Sequence, residues 1–250
     1  MTPERGSVQS LSRAFDLLEL LADAGGAMTI SDLATASGLP LPTIHRLMRS
    51  LVEGGYVRQD PSRRYALGPR LIRLGEVAGS SLGSWVKPYL SELVQQIGET
   101  ANLAMLEGDA VVYLAQVPSP HAMRMFTEVG RRVMPHCTGV GKALLSGLDD
   151  TEVLQLVRRT GLPAHTAHTV TTETALLREL ARVREQGHAV DDEEQEVGVR
   201  CVAVPVDLPQ ARIAISVSGP TARLTSDRVA RIAPLLQQMA ARLAAEQRSA

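Results

Sequence analysis

Apolar residues in the first part of the chain fall at helical spacing, and glycines and capping residues mark where each helix begins and ends. Val8, Leu11, Phe15, Leu18 and Ala22 predict a first helix whose stripe can pair with another helix, in its own domain or in a second copy. Thr29-Ile30-Ser31-Asp32 has the spacing of a capping box; Leu33, Ala34 and Ala36 then fill a short helix that Gly38 closes. Pro42 suits a first helical turn, where a missing N–H costs nothing. After it, Ile44, Leu47, Met48, Leu51 and Val52 form the expected inward face of a third helix ending at Gly54-Gly55.

Tyr56-Val57-Arg58 and Arg64-Tyr65-Ala66-Leu67 read as short strands around the turn-forming Asp60-Pro61-Ser62. Three helices followed by a hairpin predict a winged helix-turn-helix over residues 1–68. Beyond Gly68-Pro69 a helical stretch, Leu71 to Ala78, runs into Gly79-Ser80-Ser81-Leu82-Gly83, so residues 69–83 are expected to link this domain to a second one at 84–250. There, strands are expected at 101–106, 110–117, 124–129, 189–191, 201–206 and 213–218, and helices at 149–159, 172–186 and 226–245. The result is an α+β domain with one central sheet whose strand order the pattern leaves open.

Charge changes the picture. The chain of 250 residues has a formal net charge of -1, but the charge is unevenly spread. Between residues 42 and 73, Arg46, Arg49, Arg58, Arg63, Arg64, Arg70 and Arg73 face only Glu53 and Asp60, a net of +5 that leaves -6 for the rest. With the apolar face of the third helix turned inward, Thr43, His45, Arg46, Arg49 and Ser50 point to solvent. An arginine there can donate two parallel hydrogen bonds to a guanine edge, worth roughly 1–3 kcal/mol of discrimination. Arg63 and Arg64 at the hairpin tip can reach a minor groove. Aromatic residues are 3% of the chain, so the stacking platforms of single-strand binders are not evident and duplex DNA is the expected target.

Hydrophobic residues at 44% and charged residues at 21% are ordinary globular proportions. No eighteen apolar residues run together and the opening residues lack an apolar stretch behind a basic head, which predicts a soluble, cytoplasmic protein with no membrane partner. Cys137 and Cys201 are the only cysteines and form neither a disulfide framework nor a CxxC motif.

Several segments together resemble the isocitrate lyase regulator (IclR) family. They are Val8-Gln9-Ser10-Leu11 with Arg13-Ala14, Gly38-Leu39-Pro40 with Thr43 and Arg46-Leu47, and Tyr65-Ala66-Leu67-Gly68. Further on come Gly98-Glu99-Thr100-Ala101-Asn102-Leu103, Gly139-Val140-Gly141-Lys142-Ala143-Leu144-Leu145, Asp191-Asp192-Glu193-Glu194 and Ser216-Val217-Ser218-Gly219-Pro220. The resemblance spans nearly the whole chain and implies transcriptional control without catalysis. It implies a GAF-like effector domain with a central antiparallel sheet, and a homodimer, or a tetramer built as a dimer of dimers, on an inverted-repeat operator. Within the family the chain looks most like actinobacterial repressors of allantoin and glyoxylate metabolism.

In the glyoxylate-responsive members the ligand carboxylate meets backbone amides at a helix start, which falls here at Gly139 and Val140. The physics fits, because glycines admit close approach and a helix N-terminus favours an anion. Thr138-Gly139-Val140-Gly141-Lys142 is not a P-loop, since His136 stands where the first glycine is needed. The family's polar side chains fall on Asp191, Cys201, Ser216 and Ser218. Ser216 and Ser218, two apart, share one face of a strand. An ionised Asp191 repels an anion unless a proton or a hydroxyl lies between them, and Asp191 is expected to accept from a hydroxyl or gem-diol of a hydrated acid. The acid is expected to weaken operator binding.

Other chemistries use some of the same residues. An activator answering another carboxylic or aromatic acid is one. An enzyme pairing Cys201 with His136 or His188 is a second, although no catalytic signature accompanies them. A zinc site drawn from His121, His136, Cys137, His165 and His168 is a third. The expectation is no catalytic residue, no cofactor and no metal.

Overall fold

Leu17, Leu21, Leu33, Ile44, Leu47, Met48 and Val57 pack together as the core of an N-terminal unit. They come from α1 (Gln9–Asp23), α2 (Ile30–Ser37), α3 (Leu41–Glu53) and β1 (Val57–Gln59), which pairs antiparallel with β2 (Tyr65–Leu67). The computed structural model describes residues 8–125, 127–208 and 211–249. It divides into two compact units between Ala78 and Gly79.

Local chemistry accounts for the helix ends. Thr29 accepts from the Asp32 amide at 3.2 Å while Asp32 accepts from the Thr29 amide at 3.0 Å, and Gly38 closes α2 in the left-handed conformation. Met28 adds one bridge to Tyr65, a third strand position that the sequence pattern did not reveal. On α1 the core takes Leu17 and Leu21, one turn apart, whereas Val8, Leu11 and Phe15 of the expected stripe are 59%, 55% and 60% exposed. Val52 likewise faces solvent at the last turn of α3, with Leu51 half-buried against the core.

α4 (Arg70–Leu82) is longer than the pattern suggested, because the Gly/Ser-rich stretch after Ala78 continues the helix instead of breaking it. The second unit holds α5 (Lys87–Ile97), β3 (Thr100–Glu107), β4 (Ala110–Val117), β5 (Arg132–Val133) and α6 (Gly139–Leu145). Then follow α7 (Asp150–Thr160), α8 (Glu173–Gln186), β6 (Ala189–Asp192), β7 (Val199–Val206), β8 (Ile213–Pro220) and α9 (Ser226–Ser249). The strands form one antiparallel sheet in the order β5-β4-β3-β8-β7-β6.

The strand expected at 124–129 is not one; Phe126 lies outside the described residues. The Met123 and Met125 carbonyls accept from the Arg223 and Thr100 side chains, and backbone hydrogen bonds to Tyr113 of β4 at Gly130 and Arg131 lead into the ladder at Arg132–Val133. α5 had no counterpart among the elements expected from sequence, although Leu90, Leu93 and Ile97 lie at helical spacing between Pro88 and a left-handed Gly98.

The two sheet faces differ in bulk. Leu103, Val202, Val204, Ile215 and Val217 pack against α5 and α9 through Leu90, Leu93, Leu236 and Leu243. The opposite face offers Ala104, Ala189, Ala203 and Ala214 to Val140, Ala143 and Leu144 of α6. Small side chains let α6 come close to the sheet, and it is this face that carries polar groups. No helix among the described residues is long and apolar enough to cross a membrane.

Candidate functional site

On α3, Ile44, Leu47 and Met48 are buried while His45, Arg46, Arg49 and Ser50 are exposed and Thr43 is half-buried. The helix thus offers a polar, cationic strip on the side away from its core. Among the described residues neither Arg46 nor Arg49 has an ion-pair partner, so their guanidinium groups remain available to an outside acceptor.

The hairpin tip is organised by Asp60. Its carboxylate accepts from Ser62 Oγ at 2.6 Å and from the Arg64 amide at 2.9 Å, and these hydrogen bonds hold its pKa below the usual carboxylate range. Arg63 occupies the left-handed region at φ 63° and is exposed. Arg64 turns back, its guanidinium donating to the Ala27 carbonyl. The two tip arginines expected to act together are therefore divided: Arg63 is presented outward, and Arg64 braces the wing.

In the second unit, strand register gathers the other candidates. Asp191 stands opposite Cys201, Cys201 opposite Ser218, and Ser218 opposite Thr100. Two residues along, Ala203 stands opposite Ser216, Ser216 opposite Asn102, and Asn102 opposite Gln116. Two polar rows thus cross the α6 side of the sheet. Asn102 donates from Nδ2 to Ser216 Oγ and to Ser218 Oγ, each at 3.4 Å.

α6 starts directly above these rows. A β-carbon on Gly139 would lie 2.9 Å from Cys201 Sγ, and one on Gly141 would lie 2.2 Å from the Pro135 carbonyl oxygen. Both glycines are thus explained by packing: the first lets the helix start settle on Cys201, the second lets the Pro135 turn pass. Thr138 caps the helix through Gly141 at 3.2 Å, leaving the Gly139 and Val140 amides without an acceptor among the described residues. Lys142 is fully buried and its ammonium is engaged by Glu194, with Glu179 at 3.6 Å. It belongs to an internal ion pair.

Asp191 Oδ1 accepts from the Glu194 amide at 2.8 Å and the Gln195 amide at 3.4 Å, which ties the acidic loop to the end of β6. Its other oxygen has no partner among the described residues. Burial raises the Asp191 carboxyl to about 7, with Glu194 adding to the rise and the backbone hydrogen bonds opposing it. Burial also pushes Cys201 up to about 11 and Cys137 up to about 12, so both stay thiols at neutral pH. Desolvation lowers His136, whose Nε2 lies 3.1 Å from the Pro163 carbonyl oxygen, keeping its ring neutral.

Asn102, Gln116 and Tyr113 are site residues that sequence reasoning missed. The signal for Asn102 was its polar side chain in an otherwise apolar run, Ala101 to Leu106. Tyr113 joins the same face because β4 carries an extra residue at Leu114, which shifts the pairing between Leu103 and Ala104. Burial, then nearby Cys201 and Asp191, raise its phenol well above the ordinary range. Among the described residues no three His, Cys, Asp or Glu side chains group as a metal site requires. His136 and His165 come only as near as 6.2 Å between ring centroids.

These features coincide with similarity to known proteins. The IclR helix-turn-helix domain profile matches residues 10–61, and that of the bacterial transcriptional regulator IclR C-terminal region matches 77–245. The transcriptional repressor IclR of Escherichia coli is 36% identical over 234 residues, covering 91% of this chain and 85% of that protein. An IclR transcriptional regulator from Alicyclobacillus acidocaldarius superposes with a TM-score of 0.82 at 30% identity, covering 96% of this chain and 98% of the other. An IclR homologue from Microbacterium hydrocarbonoxydans, solved with 4-hydroxybenzoate, gives a TM-score of 0.78 at 25% identity over 96% of this chain and 100% of its own.

Proposed function

Because the chain belongs to the IclR family of bacterial DNA-binding transcriptional regulators, we propose that it is a repressor released from an inverted-repeat operator by a small organic acid, glyoxylate or an allantoin-pathway metabolite. The observation that carries the effector half is the convergence of Asp191, Cys201, Ser216 and Ser218 on one sheet face beneath the free amides of Gly139 and Val140. An acid carboxylate accepts from those amides and from the serine hydroxyls. Asp191, with a pKa near neutrality, meets the ligand either as a proton donor or as an acceptor from a gem-diol. Cys201 is a wall of the site.

Thr43, His45, Arg46 and Arg49 read the major groove, and Arg63 reaches the adjacent minor groove, with Arg64 holding the wing in shape. Two copies are needed for an inverted repeat, and Val8, Leu11 and Phe15 on α1 supply an uncovered apolar stripe for the second copy, in a dimer or a dimer of dimers. The acid acts only through different affinities for two arrangements of that assembly, one matching the operator half-sites and one not.

The test is binding to promoter DNA at constant salt while glyoxylate, allantoate, allantoin or pyruvate is added. Release by an acid is expected; tighter binding, or no response to any of them, overturns the derepression reading. Arg46→Ala and Arg49→Ala proteins that assemble normally yet hold the promoter as tightly as the parent overturn the DNA-reading assignment. The 4-hydroxybenzoate in a related structure favours one further reading, an aromatic acid effector, and that acid belongs in the same titration.

A further inference from the structure

A serine hydroxyl in a binding site can face a ligand as a donor or as an acceptor, and the choice decides whether an anion is welcome. Around Ser216 and Ser218 a buried amide faces both hydroxyls. Asn102 is fully buried between them, its Nδ2 at 3.4 Å from each Oγ, and its Oδ1 accepts from Gln116 Nε2 at 3.3 Å.

An amide nitrogen has two hydrogens, and this arrangement directs one at each serine. Turning the Asn102 amide end for end points both hydrogens at Gln116 alone and leaves one buried N–H without an acceptor. With one lone pair of each hydroxyl engaged by Asn102, the O–H of each serine points away from that amide toward another acceptor. Within the site they lie beside the neutral Cys201 sulfur, a weak acceptor that an oxyanion readily replaces.

We propose that Gln116 and Asn102 form an amide relay that orients Ser216 and Ser218 as paired donors, selecting a ligand carboxylate over the corresponding amide or ester. This rests on the effector site proposed for the same sheet face. Asn102 and Gln116 are positioning residues: they act through the serines, and Gln116 stands one strand further from them.

The experiment is calorimetric titration of the full-length protein with glyoxylate and pyruvate, with melting temperature recorded for every variant. Gln116→Glu, whose carboxylate only accepts, turns the Asn102 amide around and weakens binding about tenfold, the size expected for losing a charge-assisted hydrogen bond. Gln116→Lys, whose ammonium only donates, keeps affinity within about threefold of the parent. Simple charge repulsion from the new carboxylate is separated by repeating Gln116→Glu in a Ser216→Ala/Ser218→Ala background, where the relay has nothing to orient and the loss disappears.

If the serine variants weaken binding but Gln116→Glu does not, the relay is overturned and the effector site stands. The relay also falls if Gln116→Lys loses as much as Gln116→Glu, or if the loss caused by Gln116→Glu persists in full without the serines. If the parent binds neither acid, or the double serine variant binds as the parent does, both the relay and the effector site fall.

Discussion

Gly139 rests on Cys201: a β-carbon at position 139 would stand 2.9 Å from the Cys201 sulfur and 3.4 Å from its carbonyl oxygen. The contact joins the start of α6, which brings the free amides of the proposed acid site, to β7, whose Cys201 lies between Asp191 and Ser218.

Gly139→Ala is therefore expected to lift the helix start off the sheet. It should cost about 1–3 kcal/mol of stability, as overpacking does, and lower effector affinity more than operator affinity. Adding Cys201→Ala removes the colliding sulfur and should recover most of the melting temperature. A double variant as unstable as Gly139→Ala alone would show that Cys201 is not the obstacle.

Asp191 makes stability depend on pH. Its carboxyl titrates near 7 in the fold against an ordinary 3.8, so the folded chain holds a proton that the unfolded chain has released. Stability contributed by that proton is complete below about pH 4, declines as pH rises toward 7, and levels off above, a loss of a few kcal/mol at about 1.4 per pH unit. Burial raises Glu194 as well, with the same sign, so only the part of the slope that vanishes in Asp191→Asn belongs to Asp191. Chemical denaturation from pH 5 to 8 measures it. Over the same range the parent should bind glyoxylate more tightly at pH 6 than at pH 8, and Asp191→Asn should flatten this dependence.

Lys142 and Glu194 form a buried ion pair in which Glu194 Oε2 has no hydrogen-bond partner among the described residues. Lys142→Met strands the carboxylate and should destabilise the second unit by about 3–5 kcal/mol, whereas Lys142→Met with Glu194→Gln should regain much of it. Urea denaturation of both variants is the check; equal loss in the two would mean that the pair contributes through packing alone.

At the wing tip, Arg63 and Arg64 should separate in opposite directions. Arg63→Gly relieves a left-handed backbone and should stabilise the first unit by about 1 kcal/mol or less while weakening operator binding and flattening its salt dependence. Arg64→Ala breaks the bond to the Ala27 carbonyl and should lower the melting temperature by a few degrees, with DNA affinity falling only as the wing loosens. Operator affinity unchanged in Arg63→Gly would remove Arg63 from the interface.

Much of the first unit was legible because its signals are local. The Thr29/Asp32 capping box, the glycine that closes α2 and the Asp60 turn each act within four residues, so spacing alone announces them. The α1 stripe left two partners open because that helix has two apolar faces. Leu17 and Leu21 met the core, and nothing within α1 distinguishes them from Leu11 and Phe15.

In the second unit the resemblance named Asp191, Cys201, Ser216 and Ser218, but periodicity did not bring them together. Their meeting depends on which strands are neighbours, and β8, with β7 and β6 beyond it, reaches β3 only after a long excursion of the chain. Asn102 was passed over for the same reason: from sequence it is a polar residue in a strand, and only the β3–β8 register sets it opposite Ser216.

The sequence by itself determined the helices and hairpin of the first unit, the cationic face of α3, the caps and turns, and the family, since these reside in neighbouring residues and in motifs that survive without coordinates. Tertiary structure decided which α1 face is buried, that Arg64 braces while Arg63 projects, and that Lys142 is an internal cation. It also decided, through the extra residue in β4, that Tyr113 and Gln116 share a face. The physical reason is that burial, register and ion pairing are set between segments distant along the chain, where hydrophobic packing selects one arrangement from many that local propensity allows equally.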